Sequence, residues 1–192
     1  MDCSIILLSG HAGSGKTTAA ELISEHYGPL SREFALADKL KHMTYNILSL
    51  CNIDIRGVSD LYHSETKEQY RTYLQQIGTE ICQSTFGKTC WCEALRQDID
   101  NVRSYIILIT DVRFIHEYEW FKKNYSNVFC IRIDSNNITK SAQNHISEQE
   151  IEHIPADYIV KNNSTLQEFK QNLINTVTSI HRKQMSALAS LD

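Results

Sequence analysis

The run Gly10-His11-Ala12-Gly13-Ser14-Gly15-Lys16-Thr17 matches G-x-x-x-x-G-K-[ST] in full, and no other stretch of the chain restricts the fold as tightly. Before it stands Ile5-Ile6-Leu7-Leu8, which reads as a buried strand. After it stands Thr18-Ala19-Ala20-Glu21-Leu22-Ile23, which reads as an amphipathic helix. In that setting the glycines let successive backbone N–H groups turn inward around phosphate oxygens, and the helix N-terminus adds its partial positive charge. Gly10, Ala12, Gly13, Ser14, Gly15, Lys16, Thr17 and Thr18 are the residues expected to hold the triphosphate. Lys16 is suited to the β- and γ-phosphates and to the charge that develops on transfer, while the Thr17 hydroxyl takes a place on Mg²⁺. The competing reading is a glycine-rich turn followed by a chance Lys-Thr.

At 192 residues the chain suits one domain, 1–192, with a full-sized core. Nineteen basic against 23 acidic residues give a net charge of −4, which argues against a nucleic-acid or membrane-binding surface and leaves small nucleotides as the expected partners. No apolar run reaches membrane-span length, and no basic stretch followed by an apolar one marks a secretory signal. Six cysteines are scattered without C-x-x-C pairing, so free thiols in a cytoplasmic protein are expected rather than a zinc site. Whether the chain forms a homodimer stays open at this point.

Gly28-Pro29 ends the first helix, and Arg32 to Leu36 reads as a second short strand. A helix opens at Ala37, and 52–64 reads as a loop. From Thr66 to about Phe86, Tyr70, Leu74, Ile77 and Ile81 recur at helical spacing, with Arg71, Gln75, Gly78 and Thr79 on a separate polar face. Ile106 to Ile109 is a continuous apolar strand running into Thr110-Asp111, as expected of a parallel strand covered on both faces. Helix 114–124, strand 128–133, a polar segment 134–153, strand 158–160 and a terminal helix follow. Thr165 and Glu168 have capping-box spacing, and Leu166, Phe169, Leu173, Val177 and Ile180 form the last helix's apolar stripe. Strands alternating with helices predict an α/β fold: a three-layer, doubly wound parallel sheet of about five strands, with ligands at the carboxyl ends of the strands.

Asp111, at the end of such a strand, is placed to orient Mg²⁺ beside the glycine-rich loop; helix capping is its alternative role. Arg113, two residues on, is expected to face the transferring or acceptor phosphate. Arg71 and Gln75 share one helix face, so one would hold an acceptor phosphate while the other reads a base or sugar, unless both simply face solvent. No Asn-Lys-x-Asp motif is present to read guanine in a switch GTPase. A kinase that carries its arginines in cis and closes a lid over the site, here about 134–153, fits better.

Several runs resemble viral and phage deoxynucleoside monophosphate kinases: Gly10 to Thr17, Phe34 to Lys41, Arg71-x-x-Leu74-Gln75-x-x-Gly78-Thr79-Glu80, Gly87-x-x-x-Trp91, Thr110 to Phe114, His145 to Glu148, and Asp157 to Asn162. The resemblance spans nearly the whole chain in the right order. It implies transfer of the ATP γ-phosphate to a deoxynucleoside monophosphate, giving the diphosphate for DNA synthesis, with Mg²⁺ as cofactor and a host-cytoplasmic location if the source is viral. It further implies an acceptor-binding helical region at about 37–102 that includes Asp38, Lys41 and Trp91. Trp91 would stack on the acceptor base or belong to the core. Lys140, His145 and Glu148 fall in the lid, and Asn162 would border the adenine or serve as a turn residue. The lid has Lys140 where such enzymes carry arginine, leaving Lys140 or Arg132 for that charge. A dephospho-coenzyme A kinase-like enzyme or other small-metabolite kinase is the alternative, and a slowly hydrolysing nucleotide-binding regulator is a third reading.

Overall fold

The computed structural model describes residues 3–136 and 150–189. The chain divides into two compact units, Met1–Phe34 with Asn101–Asp192, and Ala35–Asp100. The first is built on five parallel strands, β1 (Ser4–Ser9), β2 (Ser31–Phe34), β3 (Ile106–Ile109), β4 (Val128–Asp134) and β5 (Tyr158–Lys161), in the order β2-β3-β1-β4-β5. Every pairing is parallel, with Leu7 opposite Ile109, Ser9 opposite Arg132 and Asp134 opposite Lys161. The expected five-stranded doubly wound sheet is therefore present. The chain leaves β1 toward β2 on one side and reaches β4 on the other, so the carboxyl end of β1 lies where ligands bind in open α/β sheets.

Continuous burial explains why β1 and β3 carry unbroken apolar runs, Ile5 to Leu8 and Ile106 to Ile109. Ile6 and Leu8 pack with Ala19, Ala20 and Ile23 of α1 (Lys16–Tyr27) and with Phe169, Leu173, Val177 and Ile180 of the last helix, α7 (Leu166–Ala189). The intervening Ile5 and Leu7 are buried just as deeply, so both faces of β1 are covered. The helix between β3 and β4, α6 (Ile115–Asn124), buries Trp120 and Phe121. The capping box on α7 is present, with Thr165 N–H to Glu168 Oε2 and Glu168 N–H to Thr165 Oγ1 at 3.4 and 3.3 Å. Leu166 departs from expectation: it is 61% exposed, and the apolar stripe meets the core only from Phe169 onward. The second strand also ends earlier than expected. Ala35 is extended, Asp38 N–H closes on its carbonyl, and Leu36 opens α2 (Leu36–Leu50) instead of ending β2.

The second unit is helical: α2, a 3-10 turn at Val58–Leu61, α3 (Ser64–Gln75), a π-helical stretch Gln76–Gln83, α4 (Ser84–Phe86) and α5 (Cys90–Asn101). Leu48, Leu61 and Tyr70 form its small core with Tyr45, Ile55 and Tyr73 around them. The 3-10 turn interrupts the predicted loop, burying Asp60 and Leu61. The π-helical stretch corrects the helix expected from 66 to 86. A wider turn advances the buried register by one residue, so after Ile77 it is Cys82 that is buried, while Ile81 is 53% exposed. The same shift removes Gly78 from the polar face. It is buried under α2, where a Cβ would lie 2.8 Å from Leu40 Cδ2. Gly78 is glycine because α2 crosses there.

Candidate active site

Gly10 to Gly15 connect the carboxyl end of β1 to α1. Gly10, Gly13 and Gly15 all have positive φ, and two of them allow no side chain for steric reasons as well. A Cβ on Gly10 would stand 2.5 Å from the Ile133 carbonyl oxygen, and one on Gly15, at φ +100°, would overlap Asn162 Nδ2. Gly15 caps α1 in a left-handed conformation, without a side-chain cap and with no acidic residue in the first turn. The positive end of the helix dipole is thus left for an external anion. Ser14 Oγ is buried and has no hydrogen-bond partner among the described residues. Lys16 Nζ donates to the carbonyls of Gly10 and His11 at 2.5 and 2.9 Å, which holds the ammonium over the loop. A cradle of backbone amides, an uncapped helix start, a buried hydroxyl and a loop-bound ammonium together fit a polyphosphate.

Two elements brace this loop. Asn162, just after β5, donates from Nδ2 to the Ser14 carbonyl at 3.0 Å, while its own backbone N–H bonds the Asp134 carbonyl at 2.7 Å. Its side chain therefore lies against the loop. His11 Nε2 stands 3.6 Å from Glu152 Oε1, in the 3-10 turn Ile151–His153. Arg132 has a structural task, with its guanidinium donating to the carbonyls of Glu152, at 3.2 Å, and of Ile154. Asp157 accepts from Cys130 N–H at 2.7 Å and from Lys122 Nζ at 3.3 Å, pinning the approach to β5 against β4. Lys140, His145 and Glu148, the lid candidates, lie outside the described residues.

Asp111 and Arg113 follow β3, the neighbour of β1, and both are half-buried. Because Leu7 pairs with Ile109, Asp111 leaves the sheet level with the end of β1, beside the start of the glycine loop. Thr17 and Asp111 offer the hard oxygen donors that Mg²⁺ prefers, with phosphate oxygens and water completing its shell. Among the described residues, no group of three or more His, Cys, Asp or Glu side chains could hold a metal ion.

Glu117 is the buried acid that the sequence reading passed over. It accepts hydrogen bonds from the backbone N–H groups of Arg113, at 2.8 Å, and Phe114, at 3.1 Å, and so fixes the turn that carries Asp111 and Arg113. Burial pushes its carboxyl up to about 8, and the Asp111 charge pushes the same way, while those two N–H groups and the Arg113 charge pull it down. The three-residue spacing from Phe114 to Glu117 at a helix start was its only signal in the sequence.

In the helical unit, Asp38 and Lys41 lie in the first two turns of α2, with Lys41 Nζ 3.3 Å from Asp38 Oδ1. Arg71 is exposed and bound to Glu68 through both Nε and Nη2, the latter at 2.6 Å, and Gln75 is exposed one turn further on. Trp91 is partly buried and donates its indole N–H to the Gly78 carbonyl at 3.2 Å, which fastens α5 to the π-helical turn.

Residues 52–173 match the family model for deoxynucleotide monophosphate kinase. A protein of Acanthamoeba polyphaga mimivirus named "Putative deoxynucleotide monophosphate kinase" is 28% identical, covering 90% of this chain and 95% of its own. A Drosophila melanogaster phosphomevalonate kinase is 24% identical, covering 80% and 79% respectively. Among solved structures, TT1252 of Thermus thermophilus superposes with a TM-score of 0.56 at 13% identity, over 93% of this chain and 98% of that one. No helix of the described residues is long and apolar enough to cross a membrane.

Proposed function

The chain belongs to the deoxynucleotide monophosphate kinase family, and from that premise we propose that it transfers the γ-phosphoryl group of ATP to a deoxynucleoside monophosphate. The observation that carries this reading is the pairing, on neighbouring strands of one sheet, of the glycine cradle that ends in Lys16 with the turn that bears Asp111 and Arg113. The bond from Pγ to the β–γ bridging oxygen breaks, a bond from Pγ to an acceptor phosphate oxygen forms, and ADP leaves. The acceptor is already an anion, so no general base is required, and catalysis consists of positioning and charge neutralisation.

Backbone N–H groups from Gly10 to Thr18 bind the ATP phosphates, with Asn162 bracing the loop. Lys16 and Arg113 carry the transferring charge. Thr17 and Asp111 would hold Mg²⁺, in part through water, and the ion would neutralise phosphate oxygens. On the acceptor side we place Asp38, Lys41, Arg71, Gln75 and Trp91. The lid residues Lys140, His145 and Glu148 would exclude water. Nucleotides, rather than nucleic acid or a membrane, are the partners.

The likeness to a phosphomevalonate kinase favours a second reading, in which the acceptor is another phosphorylated small metabolite. An ADP-release assay with ATP·Mg²⁺ against dAMP, dGMP, dCMP, dTMP, the ribonucleotides, phosphomevalonate and dephospho-coenzyme A separates the two. Turnover with one or more dNMPs, reduced about a thousandfold by Lys16→Ala, is expected. Turnover with phosphomevalonate or dephospho-coenzyme A alone would replace the proposal by the second reading. ATP binding without turnover of any acceptor would leave a nucleotide-binding regulator.

A further inference from the structure

Tyr62 lies outside every run that the proposed function uses, in the segment between the 3-10 turn and α3. Its ring nonetheless sits under Lys41, with Nζ 3.7 Å from the ring centroid. Its hydroxyl donates to Asp38 Oδ1 at 2.9 Å, the same oxygen that lies 3.3 Å from Lys41 Nζ. Three side chains thus close a cycle. Lys41 is only 12% exposed at its centre, while Asp38 is 42% and Tyr62 43% exposed at the rim.

We propose that Tyr62 is a positioning residue for acceptor binding, which keeps the Lys41 ammonium in place and available to the acceptor phosphate. The inference rests on the acceptor-side role given to Lys41 above. A lysine held by aspartate alone is placed but largely neutralised, whereas one left in solvent keeps its charge and loses its place. The tyrosine resolves this conflict in two ways. Its π-face attracts the ammonium through the ring quadrupole without cancelling its charge. Its hydroxyl occupies Asp38 Oδ1, so that Lys41 shares that oxygen with a second donor and is held less tightly by it. Lysine carries a flexible four-carbon stem and no planar fork, so the order it lacks by itself must come from neighbours. An incoming phosphate can then take over the Asp38 contact while the ring still holds the ammonium.

The test compares Tyr62→Leu, Tyr62→Phe and Lys41→Ala by steady-state kinetics with each of the four dNMPs, varying acceptor and ATP separately, alongside thermal unfolding. Tyr62→Leu is expected to raise the acceptor KM about fivefold, a cation–π-sized effect, with kcat and the ATP KM within about twofold and the unfolding temperature unchanged. Tyr62→Phe, which keeps the ring, should restore most of that loss. An unchanged acceptor KM in Tyr62→Leu, where Lys41→Ala raises it, would overturn the inference and leave the acceptor-side reading intact. An equal rise in both KM values would also overturn it, since that is the mark of a general structural role. If Lys41→Ala does not move the acceptor KM, or if no dNMP is turned over, the acceptor-side reading falls and takes this inference with it.

Discussion

The contact between Asn162 and the glycine loop can be tested by a double-mutant cycle on Gly15→Ala and Asn162→Ala. Gly15 has φ +100°, so an alanine there carries backbone strain of about 1–2 kcal/mol. The new methyl would also overlap Asn162 Nδ2 and displace the amide from the Ser14 carbonyl, a hydrogen bond worth about 1 kcal/mol net. Gly15→Ala should therefore cost about 2–3 kcal/mol, and Asn162→Ala about 1 kcal/mol. In the double variant the bond is lost only once and the overlap is gone, so the total should again be about 2–3 kcal/mol. A coupling of about 1 kcal/mol follows, above the few tenths that separate additive from interacting sites. Urea unfolding of the four proteins measures it. In parallel, ATP affinity should fall in Gly15→Ala and, less steeply, in Asn162→Ala. Strictly additive losses would refute the contact, and with it the claim that β5 braces the phosphate cradle through this asparagine.

Two further outcomes follow from the same geometry. Because burial raises the folded-state carboxyl of Glu117 to about 8, the folded chain keeps a proton that the unfolded chain has already released, and stability should fall as pH rises from about 4.5 to 8, by on the order of 4 kcal/mol. Glu117→Gln keeps an acceptor for the Arg113 and Phe114 N–H groups and should flatten that slope in denaturant titrations across pH; a slope identical to that of the parent would count against a neutral carboxyl. Gly78→Ala should lose about 1–2 kcal/mol through its overlap with Leu40, and Leu40→Ala in the same chain should recover part of that loss, read by thermal unfolding.

The sheet was legible because its central strands carry unbroken apolar runs, Ile5 to Leu8 and Ile106 to Ile109, bounded by breaks, and because Gly10 to Thr17 calls for a strand–loop–helix setting. The helical unit was less so. Periodicity assumes one turn length, and between Gln76 and Gln83 the chain adopts a wider one, so the apolar count that gave Ile81 to the core missed Cys82 by a single residue. No composition signal marks such a turn, and Gly78, which lies within it and packs under α2, reads equally well as a polar-face residue. From sequence, Asn162 reads as adenine-bordering or as a turn residue, and the loop contact it makes crosses 148 positions of sequence, beyond any local rule. Tyr62 had no signal at all, since its partners lie more than twenty residues away on α2 and its own segment lacks periodicity.

The donor and acceptor halves of the reading rest on different residues. The glycine loop, with Lys16 and Thr17, lies wholly outside residues 52–173, which match the family model, so the proposed triphosphate binding rests on the loop's own φ angles, steric limits and helix start without a side-chain cap. Asp111 and Arg113 lie inside that span, yet the strand they follow is hydrogen-bonded along its length to the strand that launches the loop. Parallel pairing of β1 with β3 is therefore the physical joint between the two arguments: sliding one strand against the other would separate the carboxylate and arginine from the cradle. It follows that substitutions divide by kinetic constant. Changes at Gly15 or Asn162 should act on ATP, changes at Lys41 or Tyr62 on the acceptor, and only those at Lys16 and in the turn fixed by Glu117 should act chiefly on the transfer step itself.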